Sequence, residues 1–285
     1  MKVRVAVVGS VNLDIVVHTS KRPKAGETLL GSGYSETLGG KGANQVIASA
    51  RIMSTAFVGD VGQDAAGSKI LQGLAGASVD LAQLRRSELP TGRAVILVTP
   101  DGENSITVLP MANGAIDPSR VRGALTVLQP DVVLAQLEVS AAVVTAAAEW
   151  TVDNGRRFVF NLSPVEVVDL AVVAVADPLI VNANEAGAIL GGRVEDDLGA
   201  LAVQLGTFAR SVVLTTGRDG AWVFEGEKVV QVAGIAVEVV DTTGAGDAFA
   251  GTLAARLALG ESLVEAATAA NAEAARTVQL DRSDR

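Results

Sequence analysis

The chain contains no cysteine. Disulfides, thiol nucleophiles and thiolate metal sites are thereby excluded. Histidine is nearly absent too, with His18 the single one in 285 residues. A Ser-His-Asp triad or a His-rich zinc site would have to use that residue, which sits in a β-like run and is expected to face solvent. Proton transfer is left to a carboxylate or a lysine. Aromatic residues make up 3% of the chain against 49% hydrophobic, so the core must be built from Ala, Val, Leu and Ile. That favours alternating helices and buried parallel strands over an aromatic-rich sandwich. No apolar run reaches membrane-spanning length. A net charge of −9 argues against non-specific binding to nucleic acid or anionic membranes. Met1-Lys2-Val3-Arg4 carries the charge of a short signal peptide, but no long apolar region follows. Residues 3–8 read as a first strand and the protein as cytoplasmic.

What is present is an alternation. Helical patterns fall at about 43–53, 64–75, 117–128, 140–153, 196–209 and 248–259, and strand candidates at 131–135, 157–161, 178–182 and 211–215. This implies a mostly parallel sheet with helices on both faces. Two segments stand outside it. Residues 15–38 have short β-branched pieces broken by Pro23, Gly26, Gly31 and Gly33. Residues 91–110 read as a hairpin turning at Pro100-Asp101-Gly102. Together they predict a small sheet covering a site, with segments at about 14–40 and 91–113. No repeat or long linker divides the chain, so 1–285 is expected to be a single domain.

Ligands of open parallel sheets bind beyond the carboxyl ends of the strands. Polar residues gather at those ends: Asn12 and Asp14, Gln136 and Glu138, Asn161, Asn182 and Glu185, and Thr215-Thr216-Gly217. Each alone reads as a turn or as a ligand contact, and their coincidence on one side of the sheet points to a site. Gly39-Gly40-Lys41-Gly42-Ala43-Asn44-Gln45 leads into a helix without matching a Walker A loop. Asp241-Thr242-Thr243-Gly244-Ala245-Gly246-Asp247 follows the apolar run 237–240 and opens another helix. A strand, a glycine turn and a helix start would aim unpaired N–H groups at one point, which attracts phosphate. The competing reading is an acidic residue that complements the helix dipole.

The motifs at 39–45 and 241–247, in this order, resemble the N- and C-terminal signatures of the ribokinase-like carbohydrate kinase family. Gly9-Ser10-Val11-Asn12-Leu13-Asp14 and Gln136-Leu137-Glu138 are similar to the family at corresponding places. The resemblance runs from Val3 to about Val278. It implies a central parallel sheet flanked by helices, a Rossmann-type three-layer α/β fold, with a small β-lid that often forms a dimer contact. It implies ATP-dependent phosphoryl transfer to a sugar hydroxyl, with ribose as the expected sugar. Asn12, Asp14, Gly40, Lys41, Asn44 and Glu138 would then hold the pentose and Asp247 would act as base. Gly244, Ala245 and Gly246 would form the anion hole. Asn182, Thr215, Gly217 and Asn271 would face ATP, and Glu185 would act on Mg²⁺ through water.

Two departures stand out. The chain ends soon after Val278, where members of the family usually continue into a Gly-Ala loop and a final helix. Only the Asp241 and Thr243 carbonyls then remain for a monovalent cation, so K⁺ is expected at an incomplete site. Met111 stands where members often have glycine, just before Asn113, so a different sugar pocket is expected. The alternatives are a kinase for another sugar or a nucleoside, or a sugar-binding homologue impaired by its shortened end. No nucleic-acid or membrane partner is expected.

Overall fold

The computed structural model describes residues 2–101, 104–192 and 197–281. The chain begins with β1 (Val5–Val8), whose side chains alternate between two apolar cores. Val5 and Val7 enter one, Ala6 and Val8 the other. It then leaves the main sheet for β2 (Asn12–His18) and β3 (Gly33–Gly39). It returns through α1 (Lys41–Ala50), β4 (Thr55–Gly62), α2 (Ala65–Gly76) and β5 (Leu84–Ser87). A second excursion gives β6 (Gly92–Val98) and β7 (Asn104–Leu109), followed by a 3₁₀ turn, Met111–Ala115.

Regular alternation follows: α3 (Pro118–Leu128), β8 (Val132–Gln136), α4 (Ala141–Asp153), β9 (Arg157–Asn161), α5 (Leu170–Val175) and β10 (Leu179–Asn182). Next come α6 (Ala183–Ile189), α7 (Leu198–Leu205), β11 (Ser211–Thr215), β12 (Gly220–Glu225) and β13 (Lys228–Ala233). The antiparallel helices α8 (Ala245–Leu259) and α9 (Leu263–Thr277) close the chain. Helix starts follow the chemistry of their caps. Pro118 opens α3 behind Asp117, and Ser262 with Glu265 forms a capping box at α9.

The nine-stranded sheet has the order β13-β12-β11-β10-β9-β8-β1-β4-β5. It is parallel except for β12 and β13, which return as an antiparallel edge. One core lies under α3, α4, α5 and α7, the other under α1, α2, α8 and α9. Ala, Val and Leu dominate both, as the low aromatic content requires. Strand order reverses at β1, so a crevice opens beyond its carboxyl end, between it and β8. The small four-stranded sheet, β3-β2-β6-β7, rises from that same end.

Two expectations differ from the structure or fall outside it. Residues 237–240 form no strand: Val239 and Val240 are more than half exposed, at 55% and 60%. The chain leaves the sheet after β13, and the Val240 N–H donates to the Val278 carbonyl, 2.8 Å away, rather than to a neighbouring strand. The antiparallel β12–β13 edge leaves the sheet mostly parallel, as expected. The hairpin between β6 and β7 forms, but Gly102 of its turn lies outside the described residues, as do Arg282 to Arg285. His18 ends β2 and is exposed, as expected.

Candidate active site

The start of α8 is built by a turn. The Asp241 carboxylate accepts the Thr243 N–H at 2.8 Å, and the Ala245 N–H turns back to the Thr242 carbonyl at 3.3 Å. Gly244 then takes φ +75°, a left-handed conformation that strains other residues by roughly 1–2 kcal/mol. No side chain among the described residues caps the helix. The N–H groups of Gly244, Gly246 and Asp247 therefore reach no protein acceptor among the described residues. They sit at the positive end of a fifteen-residue helix. Of the three N–H groups expected in the anion hole, that of Ala245 is turned back into the loop, while those of Gly244 and Gly246 are not, and the Asp247 N–H lies beside them.

Asp247 lies in the first turn of α8 and is 7% exposed. Its Oδ2 accepts from Asn44 Nδ2 at 2.9 Å and its Oδ1 from Gln45 Nε2 at 3.1 Å. Burial pushes its pKa above the ordinary carboxylate value. The Lys41 ammonium and the Asn44 amide oppose that rise, Glu138 adds to it, and Gln45 again opposes it.

The start of α1 meets the same crevice differently. Gly40, at φ +91°, precedes it, and a Cβ there would lie 2.9 Å from the Asn12 nitrogen and the Val11 Cα. Glu138, just beyond β8, accepts from the Lys41 N–H at 2.9 Å and from Ser10 Oγ at 2.6 Å. The Ser10 carbonyl accepts the Ala43 N–H at 3.0 Å. These bonds join the segments after β1 and β8 to the signature helix.

Asn12 and Asp14 lie on one face of β2, 2% and 5% exposed. They belong to a strand of the small sheet, not to a turn. Asn113 secures Asn12. Its Nδ2 donates to Asn12 Oδ1 at 2.8 Å, while its own Oδ1 accepts the Val11 N–H at 3.0 Å. Met111 nearby holds φ +45°, with its sulfur 4.0 Å from Arg93 Nη1.

A cavity of about 170 Å³ brings Lys41, Asn161, Asn182, Glu185, Gly246 and Asp247 together, with Gly244 and Thr215 at its wall. Asn182 and Glu185 form a capping box on α6: Asn182 Oδ1 accepts the Glu185 N–H at 2.9 Å, and Glu185 Oε2 accepts the Asn182 N–H at 2.8 Å. Thr215 Oγ1 donates to the Val181 carbonyl at 3.3 Å. Gly217 and Asn271 are not part of this cavity's wall. Asn271, on α9, donates to the Ala233 carbonyl at 2.9 Å. A second cavity, of about 410 Å³, reaches Gly244 from the side of β3 and α1 and touches Asn44 and Thr243. The α8 start is thus open on two sides.

Sequence reasoning placed no role on Gln45, Ser10 or Asn113. Each has an apolar residue beside it in the sequence (Val46, Val11 and Ala112), and all three are at most 1% exposed. Such residues are kept inside only when hydrogen-bonded. The arrangement can hold an anion on the α8 donors while a buried carboxylate waits beside it.

A family model described as pfkB family carbohydrate kinase matches residues 2–283. The ribokinase of Bacillus subtilis (strain 168) is 32% identical over 276 residues, spanning 96% of this chain and 92% of its own. The solved structure of Arabidopsis thaliana ribokinase complexed with ribose and ATP matches with a TM-score of 0.88 at 31% identity. It covers 99% of this chain and 94% of the other. Ribokinase from Cryptococcus neoformans var. grubii serotype A in complex with ADP gives a TM-score of 0.82 at 30% identity, over 99% and 95%.

Proposed function

The chain belongs to the pfkB family of carbohydrate kinases, and from that premise we propose that it phosphorylates ribose with ATP, giving ribose 5-phosphate and ADP. The observation that carries this reading is a buried carboxylate, Asp247, in the same helical turn as three open N–H donors. A pure binding site would have no use for a base beside an anion hole.

Phosphoryl transfer depends on positioning and on charge stabilisation more than on covalent help. Asn12, Asp14, Gly40, Lys41, Asn44 and Glu138 hold the pentose in this reading, with amides and carboxylates suited to a ring of hydroxyls. Asp247 accepts the proton of the attacking hydroxyl as its oxygen bonds to the γ-phosphorus and the bond to the β-phosphate breaks. The N–H groups of Gly244, Gly246 and Asp247 take up the charge on the phosphoryl oxygens. Removal of one such donor typically costs about 3 kcal/mol of transition-state stabilisation. Lys41, in the cavity beside them, adds a positive charge.

Asn182, Thr215, Gly217 and Asn271 are assigned to ATP, Asn182 through the cavity it shares with Asp247. Among the described residues no three carboxylates or histidines cluster to hold a metal. Mg²⁺, which would neutralise phosphate charge, fits as an ion held mainly by phosphate oxygens and water, with Glu185 reaching it through water. The Asp241 and Thr243 carbonyls are assigned to a monovalent cation. The small sheet is read as a lid over the sugar. Its outer strand exposes Ile106 at 54% and Val108 at 42%, the kind of surface a second copy would cover. No described helix is long and apolar enough to cross a membrane, and a cytoplasmic location is part of the same reading.

A panel of pentoses, hexoses and nucleosides in an ADP-release assay, with and without K⁺, tests the substrate. Ribose should give the largest kcat/KM. A larger value for a nucleoside or hexose would transfer the assignment to that sugar class.

A further inference from the structure

Gln45 is wholly buried, one residue along α1 from Asn44. Its Nε2 donates twice, to Asp247 Oδ1 at 3.1 Å and to Asn161 Oδ1 at 3.1 Å. Its Oε1 is buried and meets no hydrogen-bond partner among the described residues. A buried amide that leaves its oxygen unpaired while using both hydrogens is held in one orientation by its neighbours. Asn161 supplies the reason: its Nδ2 points to the Ile180 carbonyl at 3.5 Å, which turns its Oδ1 toward Gln45. A flipped Gln45 would set its oxygen against two other oxygens. The reach from α1 to α8 depends on Gly251, where a Cβ would come within 2.2 Å of the Gln45 carbonyl.

We infer that Gln45 is a positioning residue for the base: it locks Asp247 Oδ1 and leaves Oδ2, shared with Asn44, as the oxygen that receives the hydroxyl proton. The inference rests on the reading of Asp247 as base. Asn44 is among the residues assigned to the sugar, so the oxygen it touches is the one facing substrate. The chain from Ile180 through Asn161 and Gln45 to Asp247 holds the carboxylate in one rotamer without adding a charge. The charged groups that face Asp247 or share its cavity are Lys41, Glu138 and Glu185. Among the donors that reach the carboxylate oxygens, Gln45 is the neutral one that does not also belong to the sugar set.

The test is Gln45→Met, which keeps the volume and removes both donors. Turnover should fall by roughly 10- to 100-fold, the scale of a misplaced catalytic group, with KM for ribose and ATP within about 3-fold. The loss should shrink as pH rises. Without a donor to stabilise its ionised form, Asp247 holds its proton more tightly, so the acid limb of kcat moves to higher pH. Infrared titration of the Asp247 carboxyl, assigned by difference against Asp247→Asn, should show the same upward shift without relying on turnover. Gln45→Glu is the second variant. Two carboxyls in hydrogen-bond contact share one proton, and the midpoint should move further in the same direction. If the midpoint moves in neither variant, or kcat falls equally at every pH, the inference is overturned. Absence of ribose-dependent turnover in the wild type would instead count against the kinase reading, with the infrared titration still deciding the role of Gln45.

Discussion

The helices α1 and α8 begin alike and end up with different chemistry. Each follows a glycine with positive φ, +91° at Gly40 and +75° at Gly244, and neither has a side-chain cap of its own. At α1 the first donors are taken by protein: Glu138 receives Lys41 N–H and the Ser10 carbonyl receives Ala43 N–H. At α8 the N–H groups of Gly244, Gly246 and Asp247 stay open among the described residues. A closed helix start contributes its side chains, Lys41, Asn44 and Gln45. An open one contributes its backbone. In the proposed reading the two signature motifs divide the work, one shaping the sugar side and the base, the other receiving phosphate.

The strongest way to break this division is Asp247→Asn. Turnover should drop by about 10²–10⁴-fold, the usual contribution of a positioned base. Ribose binding, followed by calorimetry, should stay close to wild type. Turnover near the wild-type level would remove Asp247 from the reaction.

Gly244→Ala and Gly40→Ala sharpen the contrast. The first strains the open start and should lower kcat by roughly 10- to 100-fold, with ribose binding nearly kept. The second forces a Cβ against the Asn12 nitrogen, 2.9 Å away, and should mainly raise KM for ribose and lower stability by about 1–3 kcal/mol. Matching kinetic profiles for the two variants would erase the distinction between the helix starts.

Stability against pH gives a subtler test of the buried base. The pKa of Asp247 is raised in the folded protein, so its stabilising contribution is complete below the unfolded value of about 3.9 and is lost as pH rises through the folded value. Asp247→Asn lacks this loss. Its melting temperature should gain on the wild type as pH rises through that window and then hold level. A constant difference across pH would mean that the carboxylate is not destabilised by burial.

The smallest effect belongs to α6, whose start closes on itself. Asn182→Ala should cost about 1 kcal/mol from the lost cap, read as a small fall in melting temperature. Its effect on KM for ATP should exceed its effect on KM for ribose. An equal effect on both would separate Asn182 from the nucleotide side.

The alternation of helices and strands was legible because buried parallel strands are short β-branched runs and the helices between them are rich in alanine and leucine. The strand candidates at 131–135 and 157–161 became β8 and β9 within a residue. The same pattern misled at 237–240, where Val239 and Val240 lie exposed and the Val240 N–H bonds to Val278 instead of a strand. Propensity carries no information about whether a partner edge is available. The motifs pointed to Asp247, Lys41 and Asn44, which the fold brings to one crevice. Which amides close and which stay open was hidden, since it depends on Glu138 and Ser10 arriving from distant strands. The Asn-x-x-Glu pattern at 182–185 was read for its chemistry, yet its spacing is also that of a capping box, which it forms. Gln45 was invisible as a functional group because its partners, Asn161 and Asp247, meet it only in the folded chain.

Phosphorus NMR of the protein with ATP, Mg²⁺ and ribose tests most directly whether an open helix start and a buried base carry out transfer. The γ-phosphate signal should be replaced by one phosphomonoester on ribose for each ADP formed, and by nothing when ribose is omitted. Release of inorganic phosphate in its place, or no ribose-linked signal while ATP is consumed, would contradict the assignment.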